Sequence, residues 1–367
     1  MEASSNSRPT VAVIGGGYGG ITVAKALDDV ADVVLVDPKE AFVHNVAAWR
    51  ALVEPEWLEQ IFFPYERLLS DGRFLRDRAV EVEGRSVTLE SGVRLAPDYL
   101  VLATGSSYPF PAKIEETDVD TARARVLAAH EALRAAERVL LIGAGPSGLE
   151  LAGEIKAVFP DKHVTIVDQA QDILEGPYDQ ALRDELRRQL GELGVELRLG
   201  TPLRALPAVA PATAASVLVT TEAGEELAAD IWFRCFGVAI HTEYARGALA
   251  DARDGGGYLR VDAQLAVGER VFAIGDIADA DRNMAGIAGA QARVVAENIR
   301  AMITGEGERA SYQRFPPLIA VPLGPEGGAG QLPGREGVAG PEVIAEVKGR
   351  AMMVDRFGAM FDGVAVA

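Results

Sequence analysis

Short apolar runs and amphipathic stretches alternate along this chain. Val11–Ile14 is an unbroken apolar run ending in glycines, and the sequence from Tyr18 to about Asp28 has helical spacing. The next run, VVLVD, closes on Asp37. Such runs, bounded by turn residues, predict strands buried on both faces, as in a parallel sheet. The same succession returns as RVLLI, a glycine turn, a helix, and HVTIVD closing on Asp168. Between the two copies, Pro38 to about Pro64 reads as irregular, followed by strand-like segments near Ala79–Val82, Val87–Leu89 and Tyr99–Leu102. A proline-rich loop, YPFPAK, then precedes a helix from about Thr121 to Glu137.

Beyond Asp168, DQALRDELRRQLGELG reads as an amphipathic helix and LRALPAVAPATAASVLV as hairpin and loop. IWFRCFGV is a further buried strand with a turn behind it. RVFAIGDIAD is a strand reaching Asp276, followed by the helix AGIAGAQARVVAENIRAMI. Leu323–Gly340, rich in Gly and Pro, predicts loops and turns before the closing segment KGRAMMVDRFGAMF.

The glycines carry the first chemistry. Gly15, Gly17 and Gly20 stand at G-x-G-x-x-G spacing, and so do Gly143, Gly145 and Gly148. Each set follows a strand and opens a helix, the arrangement that brings backbone close to a dinucleotide pyrophosphate at a helix N-terminus. Asp37 and Asp168 end the following strands, where a carboxylate holds ribose hydroxyls. Two such devices predict two dinucleotides and an electron-transfer enzyme. The fold expected is α/β, with two Rossmann-like dinucleotide-binding domains and a small C-terminal α+β part. The first domain is discontinuous (residues 8–115 and 245–305), the second is inserted (116–244), and the C-terminal part spans 306–367.

Composition narrows the function. The 367 residues hold 36 Lys and Arg against 54 Asp and Glu, a net charge of −18 that opposes nucleic acid and anionic lipid. A single cysteine, Cys235, excludes an internal disulfide and the paired thiols of a disulfide reductase. Its strand setting between Phe233 and Phe236 reads as a buried, inert thiol. His44, His130, His163 and His241 lack metal-ligand spacing, so no metal is expected. The N-terminus is polar, and no apolar run approaches the roughly 18 residues of a membrane span. These features point to a cytoplasmic protein.

The order GGGYGG, ATG, GAGPSGLE, CFG, AIGD resembles the pyridine nucleotide-disulfide oxidoreductase superfamily. Within it, AFVHNVAAWRA after Asp37 resembles the apoptosis-inducing-factor-like, mitochondrion-associated type 2 family, also called ferroptosis suppressor proteins. The resemblance covers most of the chain. It implies FAD in the first site, held by Gly15, Gly16, Gly17, Tyr18, Gly19, Gly20, Asp37, Arg50, the backbone near Val80, and Ala103, Thr104 and Gly105. Asp276 would hold a ribitol hydroxyl. It implies NAD(P)H in the second site, at Gly143, Gly145, Gly148, Glu150 and Asp168. No arginine closely follows Asp168, which favours NADH, with NADPH the alternative. Lys113 and Glu150 become the catalytic candidates, with hydride passing from NADH to flavin N5 and two electrons then reducing a quinone.

Other readings of these residues stay open. Arg50 fits a surface charge on an amphipathic helix as well as a flavin contact, and Asp276 an ordinary N-cap. Lys113 reads equally as a loop lysine, and Glu150 either reaches a nicotinamide or caps its region. His44 and Asn45 line a flavin or serve structural hydrogen bonds, and Gln291 lines a quinone vestibule or a plain helix face. Two other functions share the motifs: a reductase for a small iron–sulfur protein, and a flavin-bound sensor or interaction protein. Glu2 stands where a myristoylation signal needs glycine, so that anchor is not expected. AMMVDRFGAMF offers a Met/Phe face either to lipid, giving a peripheral membrane contact, or to the protein's own first domain.

Overall fold

The computed structural model describes residues 8–361; Glu2 and the polar start around it, like residues 362–367, lie outside the described residues. The first apolar run forms strand Thr10–Ile14, which enters helix α1 (Tyr18–Leu27) and returns as strand Asp32–Asp37. Six strands make the first sheet, in the order Ala266–Gly268, Val271–Ala273, Tyr99–Leu102, Thr10–Ile14, Asp32–Asp37, Arg73–Arg76. Neighbours are parallel except the outermost pair, Ala266–Gly268 and Val271–Ala273. Strands from early and late in the chain therefore lie side by side, and the long helix Ala285–Thr304 packs against α1.

The second sheet, Glu196–Arg198, His163–Val167, Arg138–Ile142, Ile231–Arg234, is parallel throughout. Its central register repeats that of the first. Thr10 faces Asp32 and Ile14 faces Val36; Arg138 faces His163 and Ile142 faces Val167. The duplication in sequence is thus a duplication of strand pairing, and both halves are Rossmann-like.

Three short features depart from the sequence reading. The stretch expected to be irregular after Pro38 holds an antiparallel pair, Ala41–Val43 with Phe62–Pro64, and helix α2 (Ala48–Val53). Elements this short leave no window in which a period can be counted. Strand Arg73–Arg76 was not foreseen, because an edge strand with charged residues at both ends lacks an apolar run. Gly327–Gln331, expected as turn, is a strand paired with Ile319–Leu323. Its glycines are steric: a Cβ on Gly330 would meet the Ile319 carbonyl oxygen at 2.5 Å and the Ile344 side chain at 2.8 Å.

Helix α3 (Val119–Ala135) starts where Asp118 accepts the Thr121 N–H at 2.8 Å, an N-cap. It leads to strand Arg138–Ile142 and helix α4 (Pro146–Val158), which opens with proline in its first turn. Among the described residues no helix is long and apolar enough to cross a membrane. The Phe face of the closing helix Val354–Phe361 packs inward: Phe357 lies 4.9 Å from Tyr18 and Phe361 stacks on Phe42 at 5.7 Å, ring to ring.

His44 ties this C-terminal segment down. Its ring is fully buried, Nε2–H donates to the Met352 carbonyl at 2.7 Å, and Nδ1 accepts the Tyr18 hydroxyl at 3.2 Å. Tyr18 in turn accepts the Val46 N–H at 3.0 Å. Burial pushes the imidazole down to about 4, from 6.5. As pH falls below 6.5 the unfolded chain takes up this proton first, so stability declines toward pH 4, by about 3 kcal/mol. In urea midpoints measured from pH 4 to 7, His44→Gln is expected to flatten that decline. An unaltered slope would assign the acid sensitivity elsewhere.

Candidate functional site

Both glycine turns are built alike, atom for atom. The Gly15 N–H donates to the Val36 carbonyl at 2.8 Å, and the Gly143 N–H to the Val167 carbonyl at 2.9 Å. Gly15 has φ +103° and Gly143 φ +117°, the region that L side chains avoid. A Cβ at Gly20 would collide with the Gly15 carbonyl, and one at Gly148 with the Gly143 carbonyl, so these glycines let helix and strand approach.

The middle glycines differ in kind. Gly17 and Gly145 have φ −73° and −75°, open to any residue, and a Cβ on either would meet no protein atom within 4 Å. Nothing in the chain itself demands glycine there; the space they leave suits a group outside the chain. Each is also the N-cap of its helix with no side-chain cap, leaving N–H groups free for an anion. The arrangement fits a dinucleotide pyrophosphate in both places. Around the first turn, Gly16 gives its carbonyl to the Tyr65 hydroxyl at 2.9 Å and Gly19 faces Ile274. Tyr18 points to His44.

The two acids repeat the symmetry. Asp37 accepts the Gly16 N–H at 2.6 Å and the Lys39 N–H at 2.9 Å; Asp168 accepts the Ala144 N–H at 2.6 Å and the Ala170 N–H at 2.8 Å. Burial raises the Asp37 carboxyl above its usual range, and the two N–H groups oppose that. Asp168 lines a cavity of about 260 Å³ together with Gly145, Asp172, Glu175, Phe236 and Tyr108. Asp172 is ion-paired with Arg187. Cys235 also borders this cavity; it is buried, and burial pushes its thiol far up.

Ala103, Thr104, Gly105, Lys113 and Asp276 follow strands of the first sheet in sequence or are bonded to residues that do. Ala103 donates to the Ile14 carbonyl at 2.7 Å, Thr104 donates to the His241 carbonyl at 2.6 Å, and Gly105 turns at φ +67°. Behind them, Lys113 Nζ lies 2.7 Å from Ser106 Oγ and 3.0 Å from Asp276, whose carboxylate also accepts Ser106 at 2.6 Å. Lys113 and Asp276, distant in sequence, are one cluster. Gln291 is fully buried and accepts the Gly275 N–H at 2.7 Å, just before Asp276. Val80 stands 40% exposed on strand Ala79–Glu83. Lys113 also borders a second cavity, of about 250 Å³, and Tyr108 lines both cavities.

Arg50 and Glu150 belong to a group of four charges, three of them buried (Arg50, Glu150, Glu154) and Lys348 partly so. Arg50 donates to both oxygens of Glu154, at 2.5 and 2.9 Å, and Glu150 accepts Lys348 at 2.7 Å. Burial raises both carboxyls, while Lys348 and Arg50 lower them. Neither Glu154 nor Lys348 was expected from sequence to belong to this group. Glu154 was legible, since it lies one helical turn beyond Glu150 on the same face. For Lys348 the sequence offered only a cation beside the closing Met/Phe face, with nothing pointing to Glu150 as its partner.

The family model for pyridine nucleotide-disulphide oxidoreductases matches residues 9–297. The chain belongs to that family, on its apoptosis-inducing-factor and ferroptosis-suppressor branch. It is 32% identical to ferroptosis suppressor protein 1 of Homo sapiens, over 88% of each chain. It is 28% identical to apoptosis-inducing factor homolog B of Dictyostelium discoideum, over 96% of this chain and 97% of that one. In fold it resembles the sulfide:quinone oxidoreductase of Aquifex aeolicus, with TM-score 0.75, 18% identity, and 97% and 92% of the two chains covered. As a member of the pyridine nucleotide-disulphide oxidoreductase family, the present chain is an oxidoreductase that uses FAD and NAD(P)H.

The middle glycines give a clean test. Gly17→Val and Gly145→Val are each expected to fold with a melting temperature close to the parent. The first should lose its 450 nm flavin absorbance; the second should keep it and raise KM for NADH. Full flavin content in Gly17→Val would remove the first turn from the flavin site.

Proposed function

We propose that this chain is an FAD-dependent NADH:quinone oxidoreductase. The observation that carries the reading is Lys113, which reaches Asp276 beside the first turn while bordering a cavity that shares Tyr108 with the second cleft. The two dinucleotide sites therefore converge on one place. In this reading residues 8–115 with 245–305 hold FAD and residues 116–244 hold NADH. Asp37 and Asp168 take ribose hydroxyls, and the helix N-termini at Gly17 and Gly145 take pyrophosphates. Bound FAD supplies a two-electron relay between the nicotinamide and the acceptor.

The chain's own groups orient and stabilise. Asp276, held by Ser106 and Lys113, is placed to accept a hydroxyl hydrogen bond, and the Lys113 ammonium offsets negative charge that develops beside it. In this reading Glu150, a buried carboxylate one turn into α4 that accepts Lys348, serves the nicotinamide half. NADH is preferred to NADPH because acids line the second cleft (Asp168, Asp172 and Glu175) with no Lys or Arg among its lining residues. A 2′-phosphate would be repelled there.

Two features support a quinone as acceptor. Cys235 is the single cysteine, so no protein dithiol can carry the electrons, and they pass directly to an external acceptor. The net charge of −18 disfavours docking of an acidic iron–sulfur protein. Steady-state NADH oxidation with menadione or a short-chain ubiquinone is expected to give parallel, ping-pong double-reciprocal lines. Turnover through ferredoxin to cytochrome c, with none on any quinone, would sink the assignment. Asp168→Asn is expected to narrow the NADH-over-NADPH ratio of kcat/KM by about tenfold, the equivalent of 1.4 kcal/mol of relieved repulsion. An unmoved ratio would place coenzyme selection elsewhere.

A further inference from the structure

We propose that Arg50 is a positioning residue for the C-terminal turn: anchored on Glu154, it grips the Gly349 carbonyl and so seats the neighbouring Lys348 on Glu150. Arg50 is 2% exposed on α2, and its Nη2 donates both to Glu154 at 2.9 Å and to the Gly349 carbonyl at 2.9 Å. Its Nε completes a bidentate pair with Glu154 at 2.5 Å, which fixes the plane of the guanidinium. The Trp57 ring, 5.1 Å from Cζ, covers that plane.

On the other side, Ala345–Gly349 is a π-helical turn, wound one residue wider than an α-helix. Gly349 has no room for a side chain: a Cβ would meet the Pro325 carbonyl oxygen at 2.5 Å. The turn is therefore pressed against Pro325 and pulled by Arg50. The adjacent Lys348 then reaches Glu150, whose position lies one helical turn from Glu154 on α4. Three segments far apart in sequence, α2, α4 and the C-terminal turn, are locked through two carboxylates.

Arg50 does more here than fill space. Without it, Glu154 is left buried and unpaired beside Glu150, and both carboxylates compete for Lys348. The charged and titratable groups around Glu150 are Lys348 from the turn, Glu154 on its own helix, Arg50 and Glu54 from α2, and His44 near Lys348. Lys348 lowers the Glu150 carboxyl that burial raises, so releasing Lys348 moves Glu150 up. The kinetic readout of this assignment rests on Glu150 serving the NADH site; the labelling readout does not.

The test uses the flavin-loaded full chain as Arg50→Lys and Arg50→Met. Three quantities are measured: acetylation of Lys348 by limiting reagent, read by peptide mass spectrometry; flavin per chain; and the pH profile of kcat/KM for NADH. Lys348 labelling is expected to rise about tenfold in both variants as the turn opens locally, with flavin content kept. The acid limb should move to higher pH, and Lys348→Met should move it the same way. Loss of flavin with Lys348 still protected would make Arg50 a flavin ligand and overturn the proposal. So would a protected Lys348 with an unmoved acid limb. If Arg50→Met fails to fold, Arg50→Lys decides alone, since it keeps a charge against Glu154 and loses the arm to Gly349. Normal NADH turnover by Glu150→Gln would instead overturn the role of Glu150 and leave the labelling result standing.

Discussion

A helix N-terminus left uncapped at the carboxyl end of a parallel sheet is the constraint on which this molecule is organised. Its free N–H groups need an anion, and its glycines must keep side chains out of the anion's way. The chain meets both needs twice, with the same hydrogen bonds from Asp37 and Asp168 back to their own turns. Flanking strands, helix packing and the second-strand acids all follow from keeping those two turns tight.

Tying distant segments of the chain together is a separate problem, met with buried charge. Glu150 and Glu154 sit inside the protein on α4, each neutralised by a cation from another segment. A buried ion pair of this kind adds little net stability over apolar packing, but breaking one costs about 3–5 kcal/mol. Its effect is therefore on geometry: it ties α2, α4 and the C-terminal turn to one another. The cluster of Lys113, Ser106 and Asp276 does the same at the other end, joining the proline-rich loop to the late strand of the first sheet.

Much of this was legible from residues alone. The strands Thr10–Ile14 and Arg138–Ile142, their helices and the acids Asp37 and Asp168 are signalled by local period and by glycine spacing, both properties of a few consecutive residues. The hairpin around Gly327–Gln331 was not legible, because there glycine answers a crowded neighbour rather than a turn. The same holds for α2, too short to show a period, and for Lys348, whose partner lies across the fold.

The sequence by itself determined two nucleotide turns, the α/β class and the absence of a thiol relay, since each depends on local backbone chemistry or on a residue count. Only the tertiary structure decided what Arg50, Glu150, Lys113 and Asp276 touch. Burial turns such long-range pairings from weak surface attractions into strong, directional ones, and which charges are buried together is set by packing that no short stretch of chain contains.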